Sequence, residues 1–174
     1  DVGVVLDLAT HEFDMMRHLT GSEVVHVQAS MSKVFQEVHE DIVFGLLRFR
    51  SGALGILDVN WVTPTVLRDI RVTGERGMFT VNYLTQELTF CANAAIDHDM
   101  RASDWSPGRD FAVIEGDTIR HRVDKKEPLR NELEQFVAAV KGDVPPRVSG
   151  TDGLRALQLA ERVRQTADVD GTNE

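Results

Sequence analysis

Four titratable side chains, Asp7, His11, Asp14 and His18, recur at spacings of four, three and four residues near the start of the chain. On a helix that spacing keeps them along one side, and Leu8, Phe13, Met15, Met16 and Leu19 fill the positions between them. A histidine moves a proton near neutral pH, and an adjacent carboxylate orients it and stabilises its cation. The stripe therefore reads as an acid–base site. It reads also as the wet face of an ordinary amphipathic helix, with Asp7 as an N-terminal cap. A third reading is a metal site, because aspartate and histidine at i and i+4 can share an ion. Of the three, spacing alone favours the wet face.

Other candidates lie further along. In "NWVTPTVLR" Trp61, Thr63 and Arg68 suit the wall of a sugar or diphosphate pocket, arginine matching an anionic phosphate. Trp61 reads equally as a core residue at a strand end. Tyr83 in "VNYLTQ" can hydrogen-bond a substrate hydroxyl, or it is a sheet tyrosine with a local partner. His26, His39, His98 and His121 have no partner at chemical spacing and read as structural or exposed. Cys91 reads as a small apolar residue on a strand.

These residues need elements to hold them. The spacing predicts a helix over about 8–20, ended by Gly21-Ser22, and a strand within 23–35. "DIVFGLLRFR" and "ALGILDVNWVTP" joined by Ser51-Gly52 form the strongest hairpin signal, closed by Pro64. A second hairpin turns at Glu75-Arg76, and "QELTFCA" continues the meander. Residues 93–109 read as a long loop, and "DFAVIEGDTIRHRVD" as a hairpin turning at Glu115-Gly116-Asp117. "PLRNELEQFVAAVKG" predicts a helix with Leu129, Leu133, Phe136, Val137 and Val140 apolar. "TDGLRALQLAERVRQT" predicts another, with Leu154, Leu157, Ala160 and Val163 inward. A helix, a run of antiparallel strands and two helices make an α+β fold.

Both faces of the first hairpin are apolar. Leu47, Phe49, Leu57, Val59 and Trp61 share one face, and Ile42, Phe44, Leu46, Leu54 and Ile56 the other. A sheet with one wet face would alternate. Helices are expected to cover one face and a second subunit or another domain the other, which predicts a homo-oligomer through the sheet.

The chain has 174 residues, 42% apolar and 27% charged, the balance of a soluble globular domain. Its net charge of −9, with no basic stripe, argues against nucleic acid as a partner. No apolar run approaches the ~20 residues of a membrane span. One cysteine and no recognisable leader point to the cytoplasm.

"GVVLDLATHEFDMMRHL" resembles a motif of the Gfo/Idh/MocA oxidoreductases, an apolar stretch leading into D-x-x-x-H-x-x-D and a hydrophobic helix. The resemblance continues through "NWVTPTVLRDIRVTGERGMFTVNYLTQEL" and "VSGTDGLRALQLAERV". The later blocks look most like the nucleotide-sugar branch, of the UDP-N-acetylglucosamine 3-dehydrogenase type. It implies an N-terminal Rossmann domain followed by an α+β domain with a large open, mainly antiparallel sheet, used for substrate binding and oligomer contacts. Residues 1–174 correspond to that second domain alone. None of the thirteen glycines forms a G-x-G-x-x-G fingerprint. The family's E-K-P segment, which supplies its catalytic lysine, is also absent; "KKEP" at 125–128 reads instead as a helix boundary. Asp1 is therefore expected to be internal to a longer protein, and the isolated chain to be inactive.

The resemblance also implies roles. His11 would take the hydroxyl proton as hydride leaves for a nicotinamide, Asp7 would steer or charge-balance it, and Asp14 would lie on the substrate side. His18 falls outside the motif. NAD or NADP would be bound mainly by the missing domain, and the substrate would be a sugar or nucleotide sugar. Two rivals remain: a non-catalytic binding or assembly module, and a metal-binding domain using the Asp7/His11 stripe.

Overall fold

The computed structural model describes residues 2–94 and 114–169. A π turn, Val5–Ala9, runs directly into α1 (Thr10–Thr20). Seven strands follow: β1 (Val24–Ser32), β2 (Ile42–Phe49), β3 (Leu54–Asn60), β4 (Asp69–Gly74), β5 (Gly77–Asn82), β6 (Glu87–Ala94) and β7 (Ile114–His121). Helices α2 (Pro128–Lys141) and α3 (Gly150–Thr166) and a two-residue strand, β8 (Asp168–Val169), complete the order. The antiparallel α+β character of the sequence stands, with the strands divided between two open four-stranded sheets. The chain splits correspondingly into two compact units, Asp1–Pro64 with Glu134–Glu174, and Thr65–Leu133.

In the first unit the sheet order is β3-β2-β1-β8, antiparallel except for the short β1–β8 pair. Val43, Leu47, Phe49, Leu57 and Val59 face a core completed by Val4, Val5, Ala9 and Phe13 and by Leu159, Ala160 and Val163 of α3. Each such side chain contributes roughly 1.5–3 kcal/mol on burial. The two faces of the hairpin differ sharply: Leu57 is 2% exposed, while Ile56 beside it is 76% exposed. Phe44, Leu46 and Leu54 are exposed with Ile56. One face is thus covered by helices, and the other is exposed among the described residues. Trp61, expected on the covered face or at its edge, is exposed rather than core. The helix stop at Gly21 is as the sequence predicts, with a left-handed φ of 56°.

The second unit is the meander β4-β5-β6-β7. Its first hairpin turns at Glu75-Arg76, with the terminal pair Gly74↔Gly77. The expected hairpin at Glu115-Gly116-Asp117 is not there: Ile114–His121 is one continuous strand. Between the pairs Cys91↔Thr118 and Asn93↔Glu115 the register slips, so three steps on β7 span two on β6. Gly116 marks this bulge rather than a turn, because a Cβ there would come within 2.9 Å of the Ala92 carbonyl oxygen. The predicted loop over 93–109 lies mostly outside the described residues.

The C-terminal helices form where predicted, and of their expected inward residues Ala160 and Val163 are buried. In α3 the inward side chains are Ala156, Leu159, Ala160 and Val163, and Leu154 and Leu157 are exposed. In α2 no residue is buried, and Leu129, Leu133, Phe136, Val137 and Val140 all face solvent. The apolar period correctly located both helices; it does not say which flank of a broad apolar stripe meets a neighbour. No helix among the described residues is long and apolar enough to cross a membrane.

Candidate functional site

The segment that holds Asp7 and His11 is irregular. Val5–Ala9 winds as a π turn, closed by the Thr10 N–H bonding to the Val5 carbonyl, and the Thr10 hydroxyl donates to the Val5 and Leu6 carbonyls at 3.2 and 2.9 Å. Such turns recur at functional sites. Asp7 lies within it and His11 one residue past its junction with α1. Both are exposed, and neither is bonded to another side chain among the described residues. The opposite flank, with Val5, Ala9 and Phe13, is buried in the core. The pair therefore stands open on a rigidly seated element, as a base that must reach a substrate requires.

The other two members of the stripe part company with it. His18 is exposed near the end of α1. Asp14 is half-buried and lies 3.5 Å from Arg17, an ion pair that gives it a structural task. Arg17 is the buried centre of a network the stripe does not contain. Its guanidinium donates twice to the Glu23 carboxylate, both at 2.9 Å, and once to the Asp152 carbonyl at 3.4 Å. Arg155 reaches Glu23 at 2.9 Å. This ties α1 to the start of β1 and to the N-terminus of α3. The hydrogen bond from Arg17, outweighing burial, holds the Glu23 carboxyl below the usual carboxylate range; the bond to Glu23 likewise raises Arg17. Asp152 is lowered chiefly by its bonds from the Ser149 hydroxyl and N–H.

Two further buried acids, Glu40 and Asp41, hold the approach to the π turn. The Glu40 carbonyl accepts the Val4 N–H at 2.9 Å and its carboxylate the Val5 N–H at 3.3 Å. Asp41 accepts the N–H groups of Val34, Phe35 and Gln36 at 2.9, 2.6 and 3.0 Å. Burial pushes its carboxyl up, but those three bonds outweigh it and hold it below the ordinary range. The sequence reading gives neither a role, Glu40 closing a turn and Asp41 opening the "DIVFGLLRFR" run. The available signal was a pair of acids directly abutting the apolar β2 run.

Trp61 is exposed just past the end of β3, where its N–H donates to the Asp41 carbonyl at 2.9 Å. Thr63 is turned back on Asn60, its hydroxyl 2.6 Å from the Asn60 Oδ1, which ends the strand before Pro64. In the second unit Arg68 and Tyr83 are brought together by the backbone, the Tyr83 N–H donating to the Arg68 carbonyl at 2.8 Å. The Arg68 side chain is exposed and Tyr83 half-buried. No three histidine, cysteine, aspartate or glutamate side chains among the described residues gather as metal ligands would.

A dinucleotide finds no cradle among the described residues. Its pyrophosphate needs free N–H groups at a helix N-terminus, and here each such end among the described residues is already met by a side-chain acceptor. Glu40 accepts at the π turn, Glu127 accepts from Leu129 and Arg130 at α2, and a Ser149–Asp152 capping box closes α3. Glu127 thereby makes "KKEP" the helix boundary that the sequence predicts.

The model of the GFO/IDH/MocA C-terminal domain matches residues 1–80, the stretch that includes Asp7, His11, Glu40 and Trp61. The chain is 30% identical over 173 residues to myo-inositol 2-dehydrogenase of Thermotoga maritima, a match covering 95% of this chain and 47% of that protein. Among solved structures, UDP-N-acetylglucosamine 3-dehydrogenase GnnA from Acidithiobacillus ferrooxidans superposes with a TM-score of 0.76 at 22% identity, covering 96% of this chain and 48% of the other. The WlbA dehydrogenase from Bordetella pertussis, in complex with NADH and UDP-GlcNAcA, gives 0.63 at 22% identity, covering 96% and 43%. The chain spans about half the length of the curated relatives it matches. Residues 1–80 thus match the C-terminal domain of the Gfo/Idh/MocA oxidoreductases, and the whole chain shares the fold of about half of an oxidoreductase with that domain's antiparallel α+β architecture.

Proposed function

We propose that this chain is the substrate-binding and proton-accepting half of a nicotinamide-dependent dehydrogenase that oxidises a hydroxyl of a sugar or nucleotide sugar. The observation that carries the reading is the open Asp7/His11 pair astride the junction of the π turn and α1, inside the matched residues 1–80. Alcohol oxidation releases a proton and a hydride. The nicotinamide, NAD or NADP, supplies the hydride acceptor; the described residues do not fit it, and it belongs to a part of the protein outside this chain. His11 accepts the hydroxyl proton on a ring nitrogen as the O–H bond breaks, and the Asp7 carboxylate stabilises the resulting imidazolium. Asp14 and Trp61, on the same unit as the pair, are the proposed substrate contacts there; Arg68 and Tyr83, on the second unit, are proposed separately, Arg68 for a phosphate if the sugar carries one.

The bare face of Phe44, Leu46, Leu54 and Ile56 supports a homo-oligomer formed through the sheet. The metal-site alternative gains no support from the described residues, and the assembly-only alternative is separated by kinetics. In the complete protein, His11→Ala is expected to lower kcat by about 10²–10⁴-fold, and His18→Ala to leave it unchanged. Full turnover in His11→Ala would leave the chain as a binding or assembly module.

A further inference from the structure

Glu40 and Asp41 are 8% and 1% exposed, adjacent in sequence, and neither belongs to the reactive pair. Two buried carboxylates are costly unless they are hydrogen-bonded. Through side chain and backbone together, these two residues bond three different segments. Glu40 fixes the first two amides of the π turn, those of Val4 and Val5. Its carboxyl occupies the space beside Gly3, where a Cβ would come within 2.1 Å of the Glu40 Cδ. Asp41 gathers the amides of Val34, Phe35 and Gln36 with its side chain, and with its backbone bonds the Ser32 carbonyl at 3.1 Å and the Trp61 N–H at 2.9 Å. One dipeptide thus sets the turn that carries Asp7, a loop that presents the exposed Phe35, and the end of β3 that carries Trp61.

We propose that Glu40 and Asp41 are the positioning pair of the candidate site, Glu40 setting Asp7 and His11, and Asp41 setting the Phe35 loop and Trp61. Neither touches the reacting atoms; each acts through the backbone it holds. Glu40 works as an acceptor rather than as a charge, because its partner is an uncharged N–H. Gly3 is required because any larger residue would expel the carboxyl. The inference rests on the reading of Asp7 and His11 as the reactive pair, and its test is independent of turnover.

The test is an NMR comparison of the 174-residue chain with four variants, at alkaline pH where histidines are neutral. Glu40→Asp withdraws the acceptor by one methylene, and Glu40→Gln keeps it at full reach. The Asp variant is expected to shift the Val5 amide and the His11 ring resonances by more than a linewidth, leaving His18 and the amides of 34–36 in place. The Gln variant is expected to retain the wild-type spectrum at His11. Gly3→Ala should displace the same signals as Glu40→Asp. Asp41→Asn should move the amides of 34–36 and the Trp61 amide without moving His11. An unmoved His11 in Glu40→Asp, or a displacement in Glu40→Gln as large as in Glu40→Asp, would overturn the proposal. If Glu40→Asp moves His11 yet His11→Ala leaves turnover intact, the acid–base reading fails and the positioning stands.

Discussion

Phe13 and Phe79 occupy the two units under opposite conditions. Phe13 of α1 is fully buried, and every member of the hydrophobic core among the described residues lies in its unit. Phe79, on β5, is 39% exposed, and its main apolar neighbour is Phe90, with ring centroids 4.6 Å apart. The first unit is a sheet with helices on one face; the second is a sheet whose described side chains are half-buried or exposed. The proposed reactive pair sits on the first. A site that must hold a base to within a fraction of an ångström belongs on the unit whose side chains are locked by packing.

That contrast is open to direct attack. The largest effect is expected from Phe13→Ala, which should destabilise the first unit by about 3–5 kcal/mol, whereas Phe79→Ala should cost about 1–3 kcal/mol, the aromatic pair together with the partial burial of the ring. Denaturant unfolding of the two variants, followed by amide exchange in each unit, measures both. Equal losses would erase the distinction.

Next comes Arg17→Met, which leaves Glu23 without its main partner. Glu23 is partly solvated, so the loss falls between the exposed and buried cases, about 1–3 kcal/mol at neutral pH. Because Glu23 and Asp152 have folded pKa values below their unfolded ones, their contribution is fully present above the ordinary carboxylate range, about pH 4. It is lost as pH falls through the lower folded values. The gap between wild type and Arg17→Met should therefore close on acidification, as read by unfolding at a series of pH values. A gap that persists to pH ~2 would place the effect in packing.

A comparable but local loss is expected in the second unit from Gly77→Ala. Gly77 has φ 145°, and a Cβ there would come within 2.2 Å of the Cys91 carbonyl oxygen. The strain is worth about 1–3 kcal/mol, and exchange should quicken across β4–β7 while the amides of α1 and β1–β3 keep their protection. The smallest effect on folding belongs to Ile56→Asp, on the bare face of the first unit. It should leave unfolding of the protomer unchanged within about 0.5 kcal/mol and convert an oligomer to a monomer in light scattering. A wild-type chain that stays at 19.4 kDa on concentrating would remove the sheet face as an interface.

The legible and illegible parts of this molecule follow the range of the signals involved. Strand hairpins at Ser51-Gly52 and Glu75-Arg76, the stop at Gly21 and the proline start of α2 are encoded within a few residues, and all are found. Gly116 was misread because a bulge and a turn both call for glycine, and only the partner strand decides between them. The inward faces of α2 and α3 depend on neighbours distant in sequence. The same holds for the site. Asp7 and His11 were visible as a pair by spacing, whereas Glu40 and Asp41 bond residues as distant as Val4 and Val5, and the Arg17 cluster joins α1 to a carbonyl 135 residues on.

The central claim is that His11 acts as a base, and the acid limb of the pH–rate profile reads it most directly. In the complete protein a required neutral imidazole makes kcat/KM fall about tenfold per pH unit below its pKa. With His11→Gln, residual kcat/KM should lose that limb and become flat over the same range. A limb that persists unchanged in His11→Gln would assign the proton to another group and contradict the account.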